Sequence, residues 1–186
     1  MNFRALKNTE FDFIQAALIQ MSPQLVSYLQ VRSSLLFISI AAKKNKNLVY
    51  IISEDLKNIQ KSFLKNVDII SAGTYLGFIR RQRFFLSLEG AEFFLKERLI
   101  PDQLLFRVNK EGEKSILYGN PIERWMILDN NFKVKKGSIV LILNPSNELI
   151  ALGHIEVELI NLESFKEREI LISNLIDKGY YLRRAQ

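Results

Sequence analysis

Cysteine is absent from the 186 residues, and histidine occurs once, as His154. The first absence excludes a disulfide scaffold, a thiol nucleophile and any cysteine-ligated zinc site. The second excludes a multi-histidine metal centre, and it leaves any Ser-His-Asp arrangement resting on one imidazole. Long apolar runs are missing too. Stretches such as Ile139 to Leu143 fall far short of the roughly 18–20 residues that a membrane helix needs. The opening MNFRALKNTEFDF carries acids early and lacks the apolar stretch of a signal peptide, so no such leader is expected. No Gly-x-Gly-x-x-Gly and no Walker loop occurs, which removes support for nucleotide-phosphate binding. No internal repeat or low-complexity segment interrupts the chain.

What is present is an ordinary globular composition with a basic bias. Hydrophobic residues make up 48% and charged residues 25%, enough for a sizeable core. Lys plus Arg number 26 against 20 Asp plus Glu, a net charge of +6. Residues 1–100 hold 14 basic and 8 acidic residues, whereas residues 101–186 hold 12 of each. A basic chain without a catalytic inventory points to a polyanionic partner, with plain solubility as the equal alternative on composition alone.

The periodicity changes along the chain. Phe11, Ile14, Leu18 and Met21 lie at helical spacing, and Leu25, Tyr28 and Leu29 suggest a second helix after Pro23. Ser33–Ala41 and Leu48–Ile52 read as a hairpin whose tip holds Lys43, Lys44 and Lys46. Ser53 can cap a helix with Leu56, Ile59 and Phe63 on one face. A second hairpin is expected from Asp68 to Leu86, with Arg80, Arg81 and Arg83 at its tip, and Ser87 can cap the helix after it. Pro101 marks the expected domain boundary. Beyond it the pattern is mostly strand, with Lys110–Glu113 as a turn, Ser115–Tyr118 as a strand and Gly179–Leu182 as a closing strand. Short strands with turns every 8–12 residues or so suggest a small barrel or sandwich. Ile139, Leu141, Leu143, Ile155 and Val157 are expected inside it, and helices across 137–159 would contradict it.

Few residues offer chemistry. His154, Glu156 and Glu158 alternate with Ile155, Val157 and Leu159, which is the pattern of a solvent-facing strand edge. Nothing in the sequence marks a nucleophile or an orienting acid for His154, so it is expected to be non-catalytic. No acidic cluster has metal-ligand spacing. The basic groups carry the positive signal. Arg80, Arg81 and Arg83 are bracketed by Phe78, Phe84 and Phe85; arginine forks suit phosphates and aromatic faces can stack bases, but alternate strand residues point inward, so most of these phenylalanines are expected in the core. Lys133, Lys135 and Lys136 read as a solvated turn.

Three segments of the second half resemble, in order, the PUA domain, the pseudo-barrel named for pseudouridine synthases and archaeosine transglycosylases. They are Lys136-Gly137-Ser138-Ile139-Val140, Glu148-Leu149-Ile150-Ala151-Leu152-Gly153 and Asp177-Lys178-Gly179-Tyr180-Tyr181-Leu182-Arg183. A narrower resemblance covers more of the chain. Ile116-Leu117-Tyr118-Gly119-Asn120 is similar to the "F-L-Y-G-N" of the Nip-seven family of large-subunit ribosome biogenesis factors, with Ile116 in place of Phe. Val49-Tyr50-Ile51-Ile52-Ser53-Glu54 and Ser71-Ala72-Gly73-Thr74-Tyr75-Leu76-Gly77 resemble two further motifs of that family, and Phe84 and Leu86 match its "F-R-L". The "H-Q-x-D-x-G" of eukaryotic members reads Asn174-Leu175-Ile176-Asp177-Lys178-Gly179 here, which favours an archaeal, cytoplasmic member over a nucleolar one.

The resemblance implies an α+β chain of two domains. Residues 1–99 would form an antiparallel sheet with flanking helices, and residues 100–186 a mostly β PUA pseudo-barrel. It implies a monomeric, non-catalytic factor without cofactor or metal, off the membrane, that binds pre-rRNA during large-subunit assembly and rRNA processing. An adaptor for assembly or exosome proteins is the alternative reading, and an RNA-modifying enzyme or its targeting subunit is a third. Arg183 and Arg184 look like the basic residues that end the closing strand, and Lys166, Arg168 and Lys178 extend the expected patch. The chain ends at Gln186, close by, which would free both guanidinium groups to reach phosphate, and replacing both is expected to leave the fold intact. The Arg80, Arg81, Arg83 tip is the second expected RNA contact.

Overall fold

The structure, a computed structural model, describes residues 2–41, 46–63, 72–128 and 133–184. The tip residues Lys43 and Lys44, and Asp68 to Ser71 at the expected start of the second hairpin, lie outside this set. The chain forms two compact units, residues 1–99 and 100–186.

The first unit is an antiparallel five-stranded sheet with helices. Its strands are β1 (Asn2–Ala5), β2 (Leu36–Ala41), β3 (Lys46–Ile51), β4 (Thr74–Arg80) and β5 (Arg83–Leu86), paired in chain order. Its helices are α1 (Asn8–Leu18), α2 (Pro23–Val31), α3 (Glu54–Phe63) and α4 (Leu88–Lys96). Local chemistry sets the helix starts. The Ser22 hydroxyl accepts from Gln24 N at 3.2 Å ahead of Pro23, whose ring fits the first helical turn. Ser53 accepts from Leu56 N at 3.3 Å, and Ser87 from Gly90 N at 3.0 Å. The alternation of β2 to β5 sends Ile38, Val49, Ile79 and Phe84 to one face, where all four are buried. Helices α1 and α4 pack against β4 and β5, and α2 packs on α1. Contact there is close: a Cβ on Gly90 would stand 2.3 Å from the Leu76 carbonyl oxygen, so α4 rides directly on the β4 backbone. Arg4 in β1 ties the sheet to α1 through a bidentate pair with Glu10, at 2.6 and 2.8 Å. Strand β1 was not foreseen, because four residues are too few to show a period.

The second unit is a five-stranded sheet in the order β6-β8-β9-β10-β7, curved into a half-barrel. Its strands are β6 (Leu105–Arg107), β7 (Ile122–Glu123), β8 (Ile139–Leu143), β9 (Leu149–Ile155) and β10 (Ile170–Asp177). Strand β6 runs parallel to β8, and the other pairings are antiparallel. Leu141, Leu143 and Ile155 are buried as the alternation predicts, whereas Ile139 and Val157 are only half-buried. Val140 and Ile142, the intervening residues of β8, are buried as well, so this strand is covered on both faces. That is why its sequence is a continuous apolar run rather than an alternation.

Two segments differ from the sequence reading. Lys110–Leu117 is a helix, α5, and not a turn followed by a strand. Asn109 caps it, accepting from Gly112 N at 2.7 Å, and Gly112 and Ile116 form its buried stripe. Gly112 resembles a turn signal in sequence, yet it is required by packing, since a Cβ there would stand 2.8 Å from Met126 Cβ. Gly179–Arg184 is a helix, α6, and not a closing strand; β10 ends at Asp177. None of the described helices is long and apolar enough to cross a membrane.

Candidate nucleic-acid interface

The C-terminal ends of α5 and β10 meet at one place in the second unit. Helix α5 ends at Leu117 with Tyr118 as its C-cap, and the chain reverses through Gly119, whose φ of +90° lies in the left-handed region that favours glycine. The last carbonyls of a helix lack intrahelical partners. Here side chains from β10 and α6 supply donors. Asn174 Nδ2 donates to the Ile116 carbonyl at 3.0 Å and to the Asn120 carbonyl at 3.3 Å. Arg183 Nη1 donates to the Leu117 carbonyl.

Asp177 is the hub. It is 2% exposed, and it accepts from Arg183 Nη1 at 3.0 Å and Nη2 at 2.8 Å and from Asn174 Nδ2 at 3.3 Å. A buried carboxylate without a partner is costly, so the guanidinium of α6 answers a need created by β10. The hydrogen bonds it donates to Asp177 hold the Arg183 guanidinium pKa above its ordinary value. Gly179 leaves room for this arrangement: a Cβ on it would stand 2.0 Å from the Leu117 carbonyl oxygen. The "Y-G-N" and "D-x-G" motifs, 57 residues apart between Asn120 and Asp177, are thereby one structure. Tyr118 is 68% exposed and Leu175 53%, and Lys114 and Lys178 are exposed.

The expected basic patch divides into three. Lys178 and Arg183 lie at the C-terminal end of β10. Lys166 and Arg168 precede its other end, eight residues and roughly 25 Å away along the strand. There Arg168 stands 3.6 Å from Glu123 and 5.3 Å from the Trp125 ring centre, while the Lys166 backbone N–H donates to Glu169. Arg80, Arg81 and Arg83 belong to the first unit. Arg184 lies in α6, and its side chain is outside the described residues. Arg183 therefore does not extend freely to solvent as the sequence suggested. Tyr118 and Lys114 were missed. Tyr118 had a legible signal, an aromatic residue inside a Gly-Asn turn, whereas Lys114 was hidden by the misread helix.

His154 has more company than its sequence context showed. Its Nδ1 lies 3.0 Å from Glu156 Oε1, so an acid is in place. The Ser173 hydroxyl, and then His154, hold the Glu156 carboxyl below its usual range. Ser173 Oγ also donates to the His154 backbone carbonyl at 3.4 Å. Among the described residues, no group of three His, Asp or Glu side chains converges as a metal site requires.

Residues 104–186 match the family model described as the UPF0113 PUA domain. The second unit carries the PUA fold. A PUA domain implies RNA binding. A UPF0113 protein of Archaeoglobus fulgidus is 29% identical over 115 residues, which is 62% of this chain and 63% of that protein, so the match spans less than two thirds of the relative. Three solved structures share the fold across nearly the whole chain. A conserved PUA domain protein from Thermoplasma acidophilum aligns over 99% of both chains with a TM-score of 0.61 and 16% identity. A hypothetical protein from Pyrococcus horikoshii covers 97% of this chain and 99% of its own, at 0.65 and 14%. A PUA domain protein from Aeropyrum pernix covers 96% and 86%, at 0.53 and 13%. At such identities the likeness is one of fold.

Proposed function

We infer that the chain is a non-catalytic RNA-binding factor that acts in archaeal large-subunit assembly, holding pre-rRNA through the PUA domain. The observation that carries the RNA part is the match of residues 104–186 to a PUA domain in which Tyr118, Lys114 and Lys178 are exposed near the end of α5 and of β10. Tyr118 offers a ring on which a base can stack, and Lys114 and Lys178 offer charge for phosphate. Arg183 acts underneath, holding the turn that presents Tyr118. The assembly part rests on the Nip-seven resemblance of Ile116–Asn120, the segment whose Ile116 and Leu117 carbonyls accept from Asn174 and Arg183 at the centre of this surface. The factor works as a cytoplasmic monomer, without cofactor.

Binding of single-stranded RNA by the full chain, measured across a salt series, tests the first part. Tyr118→Ala should weaken binding by about 1–3 kcal/mol with the salt slope retained. Lys178→Ala should flatten the log–log slope by roughly 0.7. Equal affinity and slope in both variants would move the contact elsewhere. Crosslinking in the native cell tests the second part. Reads enriched in pre-rRNA support assembly, and reads enriched in tRNA would point to RNA modification instead.

A further inference from the structure

The sheet of the first unit has a second face, away from Ile38, Val49, Ile79 and Phe84. Cross-strand partners share a face, so the pairings Leu48↔Phe78↔Phe85 and Arg80↔Arg83 place these side chains together on it. Phe3, Phe37, Tyr50 and Tyr75 continue the same face across the sheet, with ring centres 5.3 Å apart for Phe3–Phe37 and 5.5 Å for Tyr50–Tyr75. Aromatic side chains thus run from β1 to β5.

The face is most open at its β5 end. Phe85 is 45% exposed. Its ring is stacked on Phe78, with centres 5.0 Å apart and planes 16° from parallel. The Lys46 ammonium sits 4.1 Å from the Phe78 ring centre. One pair of residues further along the strands, about 7 Å away, stand Arg80 and Arg83. Arg80, Arg81 and Arg83 are exposed, and none of these three or Lys46 has an acidic partner among the described residues. The turn itself is unusual. Arg81 and Gln82 both have positive φ, +49° and +60°, in a two-residue connection that favours Asn-Gly. A long cationic side chain occupies a position where backbone preference asks for a small residue.

We propose that this end of the sheet is a second RNA-contacting surface, on which Phe85 stacks a base of a single strand while Arg80, Arg83 and Lys46 take the neighbouring phosphates. The proposal rests on the reading of the chain as an RNA-binding protein and adds a site in the other unit. Charge decides the occupant. An exposed ring with cations around it suits a polyanion with π-faces, which a single strand supplies at every nucleotide. A second copy of this chain would bring the same cations face to face. Arg83, on the outer strand β5, also deters strand addition by another protein, as charged edge residues do.

The test uses the full chain and a labelled homopolymeric single-stranded RNA. Phe85→Ala should weaken binding roughly tenfold, within the range of about 5- to 150-fold that loss of one stacked base gives. Phe85→Trp should restore binding, and RNA should quench the new indole when Trp125 is changed to Phe. Arg80→Ala with Arg83→Ala should flatten the salt slope by roughly 1.4. Unchanged affinity in Phe85→Ala, or an indole at position 85 indifferent to RNA, overturns the proposal. If Tyr118→Ala then still weakens binding, the PUA reading stands without it. If the unmodified chain binds no RNA, both fall. A change in self-association of the Phe85→Ala chain at constant RNA affinity would assign the face to protein contact and overturn the proposal too.

Discussion

Arg183 in the second unit and Arg80, Arg81 and Arg83 in the first bear the same side chain under opposite circumstances. Arg183 follows a buried carboxylate by six residues, and its guanidinium is occupied by Asp177 and by the end of α5. Among the described residues, the hairpin arginines stand at a tip with no acidic partner. The difference teaches that a cluster of positive charge is available to a partner only after the interior has taken what it needs. A carboxylate such as Asp177, 2% exposed, recruits the nearest guanidinium because leaving it alone in low dielectric costs several kcal/mol. Among the described residues, no buried carboxylate makes such a demand at the β4–β5 turn.

The sharpest way to break this contrast is to remove the space in which Arg183 docks. Gly179→Ala should destabilise the second unit by about 3 kcal/mol, through a Cβ forced against the Leu117 carbonyl. Thermal unfolding read by Trp125 fluorescence checks it, and a wild-type midpoint would show that α6 is free to shift. Arg183→Ala should lower the same midpoint by less than Gly179→Ala but by clearly more than Lys178→Ala, because it strands Asp177. The sequence alone suggested that such a change would be silent in stability. An Arg183→Lys chain should recover only part of the loss, since an ammonium cannot reproduce the bidentate geometry.

The first unit has its own structural pair, which sharpens the comparison through pH. Hydrogen bonds from Arg4, and then from the Lys7 N–H, hold the Glu10 carboxyl below the usual carboxylate range, against the opposing effect of burial. A lowered folded-state pKa contributes stability that is fully present above the ordinary value near 4.3 and is lost as pH falls through the lowered one. Glu10→Gln should therefore cost about 1.5 kcal/mol at pH 7, and the difference from wild type should shrink in acid. A difference that grows below about pH 4 would refute the assignment. The smallest effect should be at the hairpin tip. Arg80→Ala with Arg83→Ala should change stability by no more than ~0.5 kcal/mol, as exposed charges do. A larger loss would mean that these arginines, too, serve the fold.

Much of the framework was readable from local patterns. Ser53 and Ser87 cap the helices that their positions announced, and the β2–β3 and β4–β5 hairpins follow the alternation of Leu36–Ile51 and Thr74–Leu86. These signals are carried by residues within a turn or a strand of one another. The errors came where packing overrode local preference. Gly112 reads as a turn but is needed where α5 meets Met126, and Gly179 reads as a strand start but is needed against Leu117.

By itself, then, the sequence determined the secondary elements with strong period, the absence of cysteine and multi-histidine chemistry, and the presence of basic clusters among aromatic residues. Only the tertiary structure decided which of those clusters stand together. It separated Lys166 and Arg168 from Lys178 and Arg183 by the length of β10, and it brought Phe78, Phe85 and Lys46 to one face of the first sheet. The physical reason is that period is a property of neighbours along the chain, whereas the need of Asp177 for a cation, and of α5 for donors at its end, is met by whichever side chain the fold delivers there.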